Sequence, residues 1–456
     1  MLPIPLREVA RFCGGSLTGG NSDQTISAVT TDSRAVPEGS LFIALRGEKF
    51  DGHDHAAAAA ASGAIAVMIE VGRESMALPA GIAVVTVRDT LTGLQSLASG
   101  YRDKINPRVV AITGSNGKTT AKEFTRAVLL ARHRTHATKG NLNNHIGLPM
   151  TMLSHDPTAS HGVYELGMNH PGEIAALAAI ARPDIAVVTY LGTAHIEFFG
   201  TREAIAEEKL SLFAALPGDG VAVINLESPL AELAIERATG RRITTGIGRG
   251  DVRAVNPGFT SDGRACFTVL HGDELAEVEL AVPGSHMIQN ALLALAVGVL
   301  EGVPLAEGAA ALAGCTPGGG RLNVRDWRGV AIIDDSYNAN PDSMKAALDT
   351  LKARPAEGRK FAVLGGMGEL GAYAVQGHDE VGRHAASLNL EFVIVVGERA
   401  RGIANSASGS KWFPDHASCA HWLAGELREG DVLLVKGSRG SAMELVLRDL
   451  EKEVTV

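Results

Sequence analysis

The sequence predicts an α/β protein of three domains: a central P-loop-type, doubly wound, mainly parallel sheet, a smaller N-terminal α/β domain and a C-terminal Rossmann-like α/β domain. Two observations carry this. Across residues 109–225 short β-branched runs alternate with helical stretches, and after residue 320 the alternation starts again. Breakers separate the blocks: Asn106-Pro107 stops the preceding helical pattern, and 315–320 reads Cys-Thr-Pro-Gly-Gly-Gly. The expected domains are 1–105, 106–314 and 315–456.

In the first domain, strands are expected over 26–31, 40–45, 64–69 and 82–87. The alanine run 56–61 is a helix by propensity, and 89–105 has apolar residues at helical spacing. In the second, the strand candidates are 109–113, 163–166, 185–191 and 221–225, with helices over 122–131, 171–181 and 202–216. Beyond Arg242 come shorter turn-bounded runs, 266–270 and 277–282, that read as antiparallel, then an apolar helix over 287–300. The third domain has strand candidates at 330–334, 361–364, 392–396 and 432–435 and helices over 343–351, 416–427 and 442–450. No G-x-G-x-x-G opens a βαβ unit there, which weighs against a dinucleotide site.

Composition narrows the function classes. With 45% hydrophobic and 20% charged residues in 456, the chain can bury several cores. A net charge of −9 argues against a broad nucleic-acid-binding surface. The 53 glycines favour tight turns and backbone–ligand loops. Cys13, Cys266, Cys315 and Cys419 form no C-x-x-C pair, as expected in a reducing cytoplasm. Arg7 and Glu8 interrupt the apolar start, and the longest clean apolar run, 291–300, falls short of the ~20 residues of a spanning helix. Neither a signal peptide nor membrane insertion is expected, and a monomer is the default.

The most informative stretch is VVAITGSNGKTT, 109–120. A strand runs into the loop Gly114-Ser115-Asn116-Gly117, then Lys118-Thr119-Thr120 open a helix. Backbone N–H groups and a helix N-terminus there attract phosphate, the lysine neutralises it, and the next hydroxyl suits the Mg²⁺ that travels with a nucleotide triphosphate. Ile112 stands where the full eight-residue P-loop has glycine, so this is a shortened version. Glu165 and His195 follow strand candidates, where carboxylate and imidazole can ligate metal or move protons. Lys209, between acidic neighbours in a helical stretch, reads by spacing alone as a solvated surface lysine. Asn290 is evenly balanced between a buried polar group and a ligand contact. Asp334 and Asp335 end a strand beside the turn of Asn338, Arg321 could reach a phosphate, and Lys436, Ser438 and Arg439 form a cation-and-hydroxyl cluster suited to a carboxylate.

The order of these motifs resembles the Mur ligase family over essentially the whole chain. TTDSR at 30–34 and ALRGEKFDGHDH at 44–55 resemble its UDP-sugar-binding region; GSNGKTT resembles its ATP loop; TKGNLNNHIGLPMT at 138–151 resembles its muramyl-peptide segment. ELGMNHPGEI, GTAHIE, DDSYNANPDSM, LGGMGELG and KGSR complete the match. The pattern departs from the family's at Leu210-Ser211, at Met287 and at Gly366. The resemblance implies an ATP-dependent ligase that joins D-alanyl-D-alanine to UDP-N-acetylmuramoyl-tripeptide through an acyl phosphate, with ATP and Mg²⁺ as cofactors. It also implies residue roles. Gly114 to Thr120, Asn290, Arg321, Asp335 and Asn338 would surround ATP. Thr119 and Glu165 would hold one Mg²⁺, and His195 with a carbamylated Lys209 a second. Ser33 and Arg34 would meet the UDP end, and Asn143 and Asn144 the peptide. Lys118, Glu165, His195 and Lys209 would be the catalytic set. The rival readings are a sister ligase that adds a single amino acid and a nucleotide-dependent switch protein.

Overall fold

Four of the six residues in the strand Arg108–Thr113, Val109 to Ile112, are fully buried apolar side chains, as a strand covered on both faces requires. This strand lies inside a nine-stranded sheet in the computed structural model, which describes residues 1–261, 263–316 and 318–453. Pro317, in the expected second domain boundary, falls outside them. The sheet order is Glu274–Glu279, Ala265–His271, Val252–Phe259, Arg241–Ile247, Val221–Asn225, Ile185–Val188, Arg108–Thr113, His161–Glu165, Thr135–Ala137. Only the first two are antiparallel additions. The strands on either side of the turn after residue 247 were not expected, and they pair in parallel; Gly248 and Gly250, at φ 70° and 93°, make that short connection possible.

A six-stranded sheet follows, ordered Asn323–Trp327, Val330–Asp335, Val432–Lys436, Lys360–Leu364, Phe392–Val396, Lys411–Phe413, and parallel except for its first strand. The N-terminal segment builds a five-stranded sheet, Ser16–Thr18, Ala83–Val87, Ala64–Glu70, Ser40–Ile43, Ala28–Thr30. The expected strand over 26–31 is two strands. Thr25–Ile26 pairs with Ile4–Pro5, and Ala28–Thr30 joins the sheet.

The helix Thr90–Ile105 ends at Asn106 in the left-handed region, in the turn before Pro107 that the sequence signals. Its Arg102 donates to the carbonyls of Ala181 and Arg182, while Arg182 donates back to the carbonyl of Ser99. Arg102 thereby caps the C-terminus of helix Glu173–Ala181, and Arg182 returns a contact to the body of the first helix. Among the described residues no helix is long and apolar enough to cross a membrane. The loops that leave the carboxyl ends of strands in the nine- and six-stranded sheets line a shared cavity of about 590 Å³.

Candidate functional site

The loop after Thr113 has no room for side chains at two positions. At Gly114 (φ 150°) a Cβ would stand 2.0 Å from Thr189 Oγ1, and at Gly117 (φ 81°) 2.4 Å from Asn290 Oδ1. Backbone is all that fits at these two positions, and the loop runs into the N-terminus of helix Lys118–Leu130, where the first N–H groups of a helix have no partner within it. The loop is gripped from behind: Ser115 Oγ donates to the Gly192 carbonyl and accepts from Gly192 N–H. Lys118 Nζ donates to the Gly114 carbonyl at 2.8 Å. The lysine opens onto the cavity, yet the protein packed round it lowers its pKa, with Arg321 adding to the effect and Glu165 opposing it.

Next to the loop, Thr119 Oγ1 donates to Glu165 Oε2 at 2.8 Å and Asn143 Nδ2 donates to Glu165 Oε1 at 2.8 Å. Thr119 and Glu165 give a hydroxyl and a carboxylate on one side of a phosphate-sized space, a donor set that suits Mg²⁺ completed by water and phosphate oxygens. No group of three or more His, Cys, Asp or Glu side chains able to hold a metal occurs among the described residues, so the protein offers no complete cage.

His195, at φ 68°, opens the short helix Ile196–Phe199. Its Nδ1 lies 2.6 Å from Glu369 Oε2, the one acidic side chain among the described residues that reaches it. Burial lowers the imidazole pKa against the pull of Glu369, so the ring is neutral at pH 7. Lys209, from helix Arg202–Ala214, is 1% exposed, which excludes the surface-lysine reading. Burial holds its pKa well below the ordinary lysine value, and the charge of Lys118 pushes it further down. An amine so displaced gives up its proton more readily, and the free amine is a nucleophile.

The cavity brings Ser115 to Thr120, Asn143, Asn144, Glu165, His195, Arg321, Asn338, Ser438 and Arg439 to one lining. Gly114, Asn290, Asp335 and Lys436 stand behind it. Lys436 Nζ is held by Asp335 Oδ2 at 2.6 Å and by the Asn338 carbonyl at 3.0 Å, so its charge is already matched. Ser33 and Arg34 lie outside the cavity, in the N-terminal segment, where Arg34 pairs with Asp32 at 2.8 Å.

Three family models match this chain: the Mur ligase family catalytic domain over residues 25–102, the Mur ligase middle domain over 112–298, and the Mur ligase glutamate ligase domain over 320–439. The UDP-N-acetylmuramoyl-tripeptide--D-alanyl-D-alanine ligase of Escherichia coli (strain K12) is 37% identical over 461 residues, 100% of both chains. The chain belongs to the Mur ligase family. Among solved structures, MurF from Acinetobacter baumannii superposes with a TM-score of 0.90 at 32% identity, covering 99% of each chain. MurF ligase from Thermotoga maritima in complex with ADP gives 0.85 at 31% identity, covering 94% of this chain and 98% of that one.

Several residues of this Mur ligase site lie within the motifs quoted above but carry no role of their own there. Asn340 exchanges amide hydrogen bonds with Asn116 (2.7 and 3.3 Å) across the two large sheets. Asp342 Oδ2 accepts from Thr193 N–H and Thr193 Oγ1, both at 2.8 Å, and so holds the loop that carries His195. Tyr337 stacks under the Arg321 guanidinium at 3.9 Å. In sequence, Asn338-Ala339-Asn340-Pro341 reads as a turn before a helix at 343; in the structure Asn340 is the N-cap of a capping box and the helix starts at Pro341. Glu369 lies within LGGMGELG, where nothing local marks it as the partner of His195.

Proposed function

We propose that this chain uses ATP to join UDP-N-acetylmuramoyl-tripeptide to D-alanyl-D-alanine, forming the UDP-muramyl-pentapeptide of peptidoglycan synthesis. The observation that carries the proposal is the Lys118–Thr119–Glu165 constellation on a glycine loop with no room for side chains, set opposite Arg321 and Asn338 of the second sheet. Full-length identity to a ligase of that printed name supports the substrate pair. The consumption of ATP is the reason to put the reaction in the cytoplasm.

The peptide carboxylate is unreactive toward an amine and must first be activated. One of its oxygens attacks the γ-phosphorus, the bond to the β-γ bridging oxygen breaks, and ADP leaves. Carboxylate and triphosphate repel each other, and Lys118 with Arg321 offsets that repulsion while the loop amides fix the phosphates. Mg²⁺ bound at Thr119 and Glu165 would supply further charge neutralisation. The dipeptide amine then attacks the acyl carbon, phosphate departs with its bridging oxygen, and the nitrogen loses a proton. In our reading Asn143 and Asn144 hold the peptide, Ser33 and Arg34 the UDP end, and Asn290 and Asp335 help enclose the nucleotide. A neutral Lys209 amine can add to CO₂ and lose a proton; the carbamate would give the His195 side of the site the anionic oxygen it lacks for a second ion. Residues 1–105, 106–314 and 315–456 are the working domains in this scheme.

The test is phosphate release from ATP·Mg²⁺ with UDP-muramyl-tripeptide, with and without D-alanyl-D-alanine. Release that needs both, with the UDP-pentapeptide found by mass spectrometry, is the expected result. Release indifferent to either substrate would turn the reading toward a nucleotide switch, and release with a muramyl-dipeptide and a single amino acid toward a sister ligase.

A further inference from the structure

Two arginines line the cavity with no acidic partner among the described residues, and they serve different places. Arg321 lies close enough to Lys118 to depress its pKa, so its charge belongs to the phosphate end. Arg399 lies beyond the carboxyl end of the strand Phe392–Val396 in the six-stranded sheet, and its side chain makes no hydrogen bond or ion pair. That strand, Lys360–Leu364 and Val432–Lys436 are neighbours in the sheet, and their three following loops meet at one rim.

The rim is built around Arg399. Ser438 Oγ and Ser441 Oγ both donate to the Gly366 carbonyl, at 2.7 and 2.8 Å, which locks two of the loops together. Glycines stand where Arg399 crosses them: a Cβ at Gly366 would lie 2.8 Å from Arg399 Cβ, and one at Gly440 3.4 Å from its Nη1. The other cations of the rim are engaged, Lys436 by Asp335 and Arg439 by Glu444. Arg399 is the rim cation whose charge is left unmatched.

The reaction has an anion that the phosphate loop does not serve. While the dipeptide amine faces the acyl carbon, its terminal carboxylate lies up to about 7 Å away, the reach of two extended residues. It needs a cation on a different element from Lys118 and Arg321, and a guanidinium binds a carboxylate through two parallel hydrogen bonds. Resting on the dipeptide reading above, we propose that Arg399 binds the terminal carboxylate of the incoming D-alanyl-D-alanine and thereby selects a free acid at that end.

The test compares kcat/KM for D-alanyl-D-alanine and for its C-terminal amide in the wild type, Arg399→Ala and Arg399→Lys. The wild type should prefer the free acid by roughly 10- to 100-fold, the usual worth of a hydrogen-bonded charge. In Arg399→Ala that preference should collapse toward one. The dipeptide KM should rise, those for ATP and UDP-tripeptide should stay put, and Arg399→Lys should recover part of the preference. Because Arg399 is exposed, the melting temperature should not move. A preference kept intact in Arg399→Ala, or a loss falling on the KM of ATP or UDP-tripeptide instead, overturns the proposal while dipeptide ligation stands. A wild type that ligates neither dipeptide form removes the parent reading itself.

Discussion

The two ends of the central sheet handle buried charge in opposite ways. At the amino ends of the strands, Arg108 donates to Glu301 Oε1 and to Asp184 Oδ1, both at 3.1 Å; Asp184 Oδ2 accepts from Val109 N–H. Glu301 also meets His161 Nε2 at 3.0 Å, and its carbonyl meets His133 Nε2 at 2.9 Å. Every charge there has an opposite within the protein. At the carboxyl ends Lys118 bonds only a carbonyl, Lys209 has just the pull of Glu208 against its burial and the charge of Lys118, and His195 meets Glu369 at 2.6 Å. Burial of charge is common to both ends. What separates the working end from the structural one is charge left for a ligand to match.

That contrast can be broken by substitution. Lys118→Ala should lower ligation on the order of 1,000-fold or more with an unchanged melting temperature, since it removes charge stabilisation of the phosphoryl step. Normal turnover in steady-state assays would refute the phosphate-loop assignment. Lys209→Ala should be inactive and partly rescued by added short carboxylates; full activity without them would show that no carbamate is used. Asp342→Ala releases the loop before His195 and should cost kcat about 100-fold, as a misplacement of about 1 Å does, with circular dichroism unchanged. At the opposite end the sign of the result reverses. Glu301→Ala leaves Arg108 with Asp184 alone and removes the partner of His161, and should destabilise the fold by about 1–2 kcal/mol in urea melts, with kcat of the folded fraction intact.

The smallest effect sits between the sheets. Burial lowers the pKa of His286 from 6.5 to about 4, and its Nδ1 has no hydrogen-bond partner. Below 6.5 the unfolded chain takes up a proton that the folded chain refuses. Stability is therefore fully present above 6.5, declines as the pH falls toward 4, and levels off below that. Melting curves across that range should be less pH-dependent in His286→Gln; equal slopes would mean His286 is not the group responsible.

Much of this was legible in the chain. The strand, loop and helix around Lys118 declare themselves because glycine, lysine and hydroxyl residues occupy a fixed spacing between two strong periodicities. The strands 221–225 and 432–435 are near-continuous apolar runs, as strands buried on both faces must be. Short or polar strands such as Thr135–Ala137 and Arg241–Ile247 stayed hidden, because pairing with neighbours holds them and local pattern does not. Lys209 illustrates the limit on the site side: its Glu-Glu-Lys context signals solvent, yet packing buries it. Asp342 and Glu369 act across more than 140 residues of sequence, where spacing carries no information.

The reciprocal arginine contacts of Arg102 and Arg182 also bear on how the chain comes apart. The peptide bond Asn106–Pro107, between the N-terminal segment and the central sheet, follows a helix already fastened to the far side of that junction by three side-chain-to-carbonyl bonds. We expect a backbone cut there to leave the two pieces associated, read as a single peak in size-exclusion chromatography. The N-terminal part could then be supplied in trans as a separate polypeptide.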